Sequence, residues 1–190
     1  MRIGIAALIG AIVIFIWQSI SHMFLPIGNM GFRMPANEGV VIESIASGAP
    51  DSGIYMLPAL DPAKWNDEAA MAEWETRAKA NRFSFVVVSP AQENPASMAK
   101  ALTVQFVCSF IMALVIAWLL AAAPWSFGMR VAGSAAVGIG GWAMNSLPLW
   151  SWYKFPTDYV LGTFIDQTIG WALAGVAIAW WLGRRRKRFS

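Results

Sequence analysis

Four segments of this chain are apolar over about twenty residues, the length an α-helix needs to cross the hydrocarbon core of a bilayer. They cover about residues 3–25, 101–123, 127–149 and 160–183. Charged residues make up only 13% of the chain, against about a quarter in a typical water-soluble domain. This excludes a disordered chain, a coiled coil and an ordinary soluble domain. We therefore predict a membrane all-α bundle of four transmembrane helices.

The chain divides into three predicted parts. Residues 1–25 form the first transmembrane helix. Only Arg2 precedes its apolar run and no small-residue cleavage site follows it, so we predict a retained span rather than a cleaved signal. Residues 26–99 form an extracytoplasmic domain between helices one and two. Residues 100–190 hold helices two to four and a basic cytoplasmic tail.

Lysine and arginine are distributed unequally between the two sides of the predicted bundle. One side carries seven basic residues and no acidic residue, namely Arg2, Arg130 and the five at positions 184–188. The loop between the first two spans carries six basic and nine acidic residues. Because basic residues are enriched on the cytoplasmic side of membrane proteins, we predict a multi-pass protein of the cell inner membrane. Both termini are then cytoplasmic.

The loop between the first two spans is too polar to cross the membrane and too apolar to be disordered. β-Branched and aromatic residues between glycines and prolines predict short strands at 40–46, 54–57 and 82–89. Asp61 followed by Pro62 is typical of a helix start, and a weakly apolar stripe predicts that this helix continues to about residue 81. We therefore expect a small α/β cap.

Polar side chains inside the predicted spans are few, and each is costly in a bilayer. Counted from the outer end of each helix, they fall at similar depths. They are Gln18, His22, Gln105, Asn145, Asp166 and Gln167. Small residues accompany Asn145 and Asp166 at helical spacing, so we expect Asp166 to hydrogen-bond Asn145 and to lie near His22. This outer-leaflet layer either locks the bundle or serves as a proton acceptor, a polar ligand pocket or a contact with a partner's helix.

Aromatic and basic residues concentrate at the two predicted boundaries of the bilayer. Tryptophan and tyrosine prefer the headgroup region, and arginine attracts anionic lipid. The predicted lipid-interface residues are Trp150, Trp152, Tyr153, Trp180, Trp181, Arg184, Arg185 and Arg186. The aromatic residues alternatively form a ligand site. The basic tail directly follows a span, which favours membrane lipids over nucleic acid as its partner.

Motifs for catalysis, metal binding and cofactor binding are missing from the sequence. It has no glycine-rich phosphate loop, no nucleophile elbow and no zinc-binding helix motif. The only histidine is His22, and the methionines near it (Met23, Met30 and Met34) match no copper motif. The single cysteine excludes an internal disulfide and a cysteine-based metal centre. We therefore predict no catalytic residue, no metal and no cofactor.

These features favour a non-enzymatic accessory or assembly subunit of a larger membrane complex. Its partner is then another membrane protein or a second copy of the chain, since small-residue helix faces are typical of helix association in membranes. The first alternative is a small transporter or a ligand-binding membrane protein that uses the outer-leaflet polar layer. The second is a membrane enzyme that acts at the outer interface, with His22 and Asp166 as an acid/base pair.

Overall fold

The computed structural model describes residues 1–92 and 94–184, and it is mostly helical. The helices are α1 (Arg2–Met23), α2 (Glu38–Gly48), α3 (Glu68–Ala80), α4 (Ala99–Ala122), α5 (Phe127–Tyr153) and α6 (Thr157–Gly183). The strands are β1 (Gly53–Leu57) and β2 (Ser84–Val88), and 3₁₀ turns lie at Pro26–Asn29 and Pro62–Lys64. The chain forms two compact units: Met1–Phe32 with Pro95–Ser190, and Arg33–Asn94.

Three helices of the first unit, α1, α4 and α6, are long and apolar enough to cross a membrane. The shortest, α1, has 22 residues and is therefore about 33 Å long at the helical rise of 1.5 Å per residue. Three of the four predicted spans are thus confirmed as apolar helices of sufficient length. The remaining segment is also helical and forms the 27-residue α5. Its glycines, serines and single arginine dilute its apolar residues, so it is not among the three.

Local sequence explains the tight connection between α5 and α6. Ser126 accepts a hydrogen bond from the backbone N–H of Met129 and so caps the start of α5. Lys154 ends α5 in the left-handed conformation, with φ of 56°, and its N–H bonds the carbonyl of Leu149. Pro156 directly precedes α6, where its missing N–H costs little. Only three residues therefore separate two antiparallel helices.

Helix α1 lies between α4 and α6, and the packing of these three helices relies on small side chains. The buried apolar core consists of Ala6, Ala7, Ala11, Ile14, Ala113, Ile116, Ala117, Leu120, Trp171, Ala174, Ile178 and Leu182. Alanine and glycine let helix backbones approach closely and gain van der Waals contact. At Gly170 of α6, a Cβ atom would stand 2.4 Å from Cδ1 of Ile14, so this approach requires glycine.

Contacts at the helix ends show that α4 and α6 both run opposite to α1. Gln18, near the end of α1, is hydrogen-bonded to Gln105 near the start of α4. Arg2, at the start of α1, donates to the backbone carbonyl of Leu182 near the end of α6. We call the end of this unit that contains Arg2 the inner end, and the end that contains Met23 the outer end.

Helix α5 packs against α6 through one row of residues spaced four apart. The row consists of Ser134, Gly138, Trp142 and Ser146. Ser134 donates from Oγ to the carbonyl of Trp171 at 2.6 Å, and Trp142 donates from its ring nitrogen to the carbonyl of Val160 at 3.1 Å. Rows at a spacing of four are a standard ridge in helix packing. The side-chain bonds fix the register of the pair.

The second unit contains α2, α3 and an antiparallel pair of strands. Gly53 lies opposite Val88, and Leu57 lies opposite Ser84 at the other end of the ladder. The predicted strands at 54–57 and 82–89 are therefore confirmed in position. Neither α2 nor α3 contains a buried residue.

The predicted strand at 40–46 is wrong, because these residues lie in α2. Asn37 accepts a hydrogen bond from the backbone N–H of Val40 at 3.1 Å, and Glu38 stands in the first turn. An N-cap and an acidic residue at the positive end of the helix dipole both stabilise a helix start. These local interactions outweigh the β-propensity of valine and isoleucine, which is a weak preference.

Helix α3 begins later than predicted. Asp61 caps only the short 3₁₀ turn, whereas Asp67 accepts hydrogen bonds from two backbone N–H groups of α3 and starts the longer helix. The predicted apolar stripe comprises Asp67, Ala70, Met71, Trp74 and Ala78. The last four are the half-buried residues of α3, whereas Asp67 is its exposed N-cap. Trp74 also donates from its ring nitrogen to the carbonyl of Pro58 at 2.9 Å.

Candidate functional site

A cavity of about 470 Å³ lies among the outer ends of α1, α4 and α6, beside the Pro26–Asn29 turn. Residues of α1, α4 and α6 and of this turn line it. Five of the six residues of the predicted polar layer line this cavity, and only Asn145 does not. The five are Gln18, His22, Gln105, Asp166 and Gln167. The cavity therefore brings together five of the polar residues that were predicted to lie inside the membrane.

Asp166 is the most buried of these residues, with 4% of its surface exposed. Its Oδ1 accepts a hydrogen bond from Oγ of Ser21 at 2.5 Å, and its Oδ2 lies 3.4 Å from Nε2 of Gln167. A distance of 2.5 Å is typical of a hydroxyl that donates to a carboxylate. Within the described residues, no lysine or arginine forms an ion pair with Asp166. Its partners are therefore neutral donors.

Two tryptophans hold the turn of α6 that carries Asp166. Trp17 of α1 donates from its ring nitrogen to the backbone carbonyl of Asp166 at 3.0 Å. Trp171 donates in the same way to Oε1 of Gln167 at 3.0 Å. Both bonds engage groups adjacent to the carboxylate and not the carboxylate itself. They restrict the orientation of the site and leave the oxygens of Asp166 to other donors.

The imidazole of His22 is anchored to its own helix through one nitrogen. Its Nδ1 lies 3.0 Å from the backbone carbonyl of Gln18 and 3.0 Å from Oγ of Ser21. Since a carbonyl can only accept, we place the ring hydrogen on Nδ1, which makes Nε2 an acceptor in the neutral ring. No group in the described part of the chain bonds Nε2. This nitrogen is therefore available to a ligand.

Asp166, Ser21 and His22 form a hydrogen-bonded chain in which the serine stands in the middle. In a catalytic triad the histidine stands between the serine and the acid, where it takes the proton of the nucleophile. Ser21 is also completely buried. The arrangement therefore holds a carboxylate and an imidazole in place but does not activate Ser21 for nucleophilic attack.

A pair of glutamines joins α1 to α4 at the same cavity. Nε2 of Gln105 donates to Oε1 of Gln18 at 2.9 Å. This bond uses one donor and one acceptor of the pair. The amide nitrogen of Gln18 and the carbonyl oxygen of Gln105 have no other side-chain partner among the residues that the structure describes. They add one donor and one acceptor to the groups that a ligand can reach.

The predicted hydrogen bond between Asp166 and Asn145 is wrong. Asn145 is exposed, and no side-chain hydrogen bond is formed by it within residues 1–92 and 94–184. The predicted face of α5 steps from Gly138 to Gly141 and on to Asn145. The face that contacts α6 steps instead by four residues, from Gly138 to Trp142. Asn145 consequently points away from α6.

Ser21 is the site residue that sequence analysis missed. It is completely buried and donates to Asp166 where Asn145 was expected to bond. Its position contains a signal, because Ser21 lies seven residues after Ile14 and so continues the buried face of α1. Serine is common in transmembrane helices as a donor to its own backbone. The residue type alone therefore did not identify it.

The predicted lipid-interface residues at the outer end belong to the last turn of α5. Trp150 is 48% exposed and Trp152 is 76% exposed. Trp150 donates from its ring nitrogen to Oγ1 of Thr157 at 3.2 Å, across the connection to α6. Tyr153, the last residue of α5, is half-buried. None of these aromatic residues lines the cavity.

Of the predicted lipid-interface residues at the inner end, Trp180 and Trp181 belong to the last turn of α6, and Arg184 directly follows this helix. The guanidinium carbon of Arg184 lies 4.1 Å from the ring centre of Trp180 and 5.8 Å from that of Trp181. Such cation–π contacts contribute about 0.5–1 kcal/mol at exposed sites. Arg185 and Arg186 lie outside the described residues.

Groups of three or more histidine, cysteine, aspartate or glutamate residues that could hold a metal ion are not found among the described residues. The methionines near His22 are divided between the two units. Met23 and Met30 line the cavity, whereas Met34 belongs to the second unit. The cavity therefore offers thioethers but no cluster of the usual metal ligands.

Comparison of the chain with protein-family models, with curated proteins and with solved structures found no match. The function is therefore argued from the geometry of the cavity and of the helices around it.

Proposed function

We propose that the chain is an inner-membrane protein with four spans and both termini in the cytoplasm. Three apolar helices of spanning length support this topology. The directions of α4 and α6 support a fourth span, formed by α5. Because α4 and α6 are parallel, α4 ends at the inner end and α6 starts at the outer end. If both helices cross the bilayer, α5 must cross between them. Arg2, Arg130 and Arg184 all belong to helix turns at the inner end, in agreement with the positive-inside rule.

Single-cysteine labelling tests this topology in a Cys108→Ser background. Asn66→Cys places a thiol in the second unit, and Gly128→Cys places one at the start of α5, where no neighbouring atom lies within 4 Å. We expect a membrane-impermeant maleimide to label Asn66→Cys on intact spheroplasts and to label Gly128→Cys only after lysis. Labelling of both variants on intact spheroplasts contradicts the four-span topology.

Within this topology, the proposed function is to bind a small ligand at the outer end without chemical turnover. The cavity carries this proposal. Its volume of about 470 Å³ lies within the range of about 300–1,000 Å³ that is usual for small-molecule sites. Apolar walls with a few convergent polar groups are also typical of such sites, and Asp166, His22 and the glutamine pair supply those groups here.

The core on the inner side of the cavity favours binding over passage through the protein. Ile14, Ile116 and Ile178, one from each of α1, α4 and α6, are completely buried there. Interiors packed in this way leave few voids as large as a water molecule. A polar ligand at Asp166 therefore reaches solvent through the outer end, which supports a receptor-like or carrier-like role more than a channel.

Native mass spectrometry of the protein extracted in a mild detergent tests ligand binding. We expect a bound small molecule in the wild type and its loss in Leu102→Trp, because Leu102 lines the cavity and the larger ring fills it. Val104→Trp is the matched control, since Val104 lies on the same helix, is 54% exposed and does not line the cavity. A ligand that survives in Leu102→Trp, or a wild type that never carries one, contradicts the proposal.

An accessory or assembly subunit is the second candidate, and the exposed side chain of Asn145 favours it. On a membrane-spanning α5 this carboxamide faces lipid with no hydrogen-bond partner among the described residues. Unpaired polar groups in the bilayer are costly, and asparagine commonly bonds across to a neighbouring helix. A helix of another membrane protein, or of a second copy, can supply that partner.

Co-purification in mild detergent tests the second candidate. If Asn145 binds a partner's helix, Asn145→Leu should release the partner and lower the molar mass measured by light scattering. Met144→Leu is the control, because Met144 is 81% exposed one residue away and carries no hydrogen-bonding group. A wild-type protein that is monomeric and alone under these conditions argues against the subunit role.

A further inference from the structure

We propose that the cavity binds a protonated lipophilic amine and that Asp166 is its counter-ion. This inference rests on the proposed ligand-binding function and adds the chemical class of the ligand. Its basis is that the buried carboxylate of Asp166 has no positively charged side chain beside it in the described lining of the cavity. Lysine and arginine are both missing from the described residues that line the cavity. A buried carboxylate without a charged partner is costly, and a cationic ligand removes that cost.

The cavity offers several acceptors that can bind an ammonium group with its N–H donors. A carboxylate offers about four lone-pair positions. Ser21 occupies one at 2.5 Å, and the approach of Gln167 at 3.4 Å is long for a hydrogen bond. His22 adds Nε2, and Gln105 adds its amide oxygen. An anionic ligand would be repelled by the carboxylate of Asp166 and would find no lysine or arginine in the described lining, whereas an ammonium group finds several acceptors.

The apolar lining fits the rest of such a molecule. Phe15, Phe32 and Tyr159 contribute aromatic rings, and the rings of Phe32 and Tyr159 meet edge to face with their centres 6.0 Å apart. Aromatic faces attract cations electrostatically. Met23 and Leu102 add flexible and branched apolar surface. A primary amine attached to an aromatic or branched hydrocarbon therefore matches both parts of the lining.

The experiment compares phenethylamine, which is protonated at pH 7, with propylbenzene, a neutral molecule of nearly the same shape. Binding to the full-length protein in lipid nanodiscs is measured by calorimetry. We expect the wild type to bind the amine at least about tenfold more tightly than the hydrocarbon, a difference of about 1.4 kcal/mol. Asp166→Asn should remove this preference, because asparagine retains an oxygen for Ser21 but not the charge.

Asp158→Asn is the matched control, because it removes a carboxylate from the first turn of the same helix, outside the cavity lining. It should leave amine binding unchanged. Leu102→Trp should abolish binding of both probes by filling the cavity. If Asp166→Asn fails to fold, the comparison of the two probes on the wild type and on Leu102→Trp still decides whether the cavity prefers the amine to the neutral hydrocarbon.

The outcomes separate this inference from the proposed function. Equal binding of the two probes, or amine binding that persists in Asp166→Asn, overturns the counter-ion role of Asp166. The ligand-binding function survives that result if the molecule found by native mass spectrometry is still lost in Leu102→Trp. Binding of silver ion, a thioether-seeking monovalent metal, without binding of the amine also overturns the inference. If Asp158→Asn loses amine binding to the same extent as Asp166→Asn, the assignment of the amine site to Asp166 is overturned.

Discussion

Replacement of Ser21 by alanine removes the hydrogen bond that holds Asp166, together with the contacts of Ser21 to His22 and to the carbonyl of Gln18. Ser21 is completely buried and donates to Oδ1 of Asp166 at 2.5 Å. Hydrogen bonds to charged groups contribute about 1.5–3 kcal/mol in soluble proteins, whereas bonds between transmembrane helices average about 0.6 and reach about 1.7 kcal/mol. A charged acceptor places this bond near the upper end of the second range. We therefore expect Ser21→Ala to lower the free energy of unfolding by about 1.5 kcal/mol.

Unfolding in mixed micelles of increasing dodecyl sulfate content measures this loss. Ser19→Ala is the control, because Ser19 lies on the same helix, lines the cavity and donates only to the carbonyl of Phe15 in its own helix. It should change stability by less than about 0.5 kcal/mol. A double-mutant cycle with Asp166→Ala, which removes both side-chain oxygens, should give a coupling energy of about 1 kcal/mol or more. Equal losses in the two serine variants, or a coupling energy near zero, would refute the assigned bond.

Two further substitutions test packing and capping. Gly170→Ala should destabilise the protein by about 1–3 kcal/mol in the same assay, because the new methyl group meets the ring of Trp17 at 2.7 Å. Gly140→Ala is the control and should be neutral or stabilising, because no atom lies within 4 Å of the added methyl group. A larger loss of stability in Gly140→Ala than in Gly170→Ala contradicts the helix packing. Asp67→Ala should destabilise the start of α3 by about 1 kcal/mol through loss of its N-cap. Hydrogen exchange of the backbone N–H of Ala70 should then become faster, and an unchanged exchange rate contradicts the cap.

The depth of the polar groups was predictable from sequence because it depends on few quantities. A helix rises 1.5 Å per residue, and the apolar windows set where each span begins. Counting from those ends placed Gln18, Gln105 and Asp166 at one level, and all three line the same cavity. The half-buried stripe of α3 was predictable for a similar reason, since a repeat of 3.6 residues alone defines it.

Which side of a helix packs against another helix was less predictable, because it depends on the side chains of the neighbouring helix as well as on the helical repeat. On α5, small residues occur both at Gly138 and at Gly141, so the sequence allows two rows. The partner decides between them: the ring of Trp171 lies against Gly138, and a Cβ atom there would stand 2.5 Å from its Cδ1. That close contact turns the row through Trp142 towards α6 and leaves Asn145 outside.

The same distribution of residues that forms the cavity also restricts how a ligand can move. Gln18, Asp166 and Gln167 are the innermost polar residues of the cavity, and one turn further inward than Gln18 the completely buried Ile14 lies on α1. A cation that moved inward would leave its counter-ion for a core of alanine, isoleucine and leucine, where an unpaired charge is costly. The proposed amine therefore enters and leaves through the outer end.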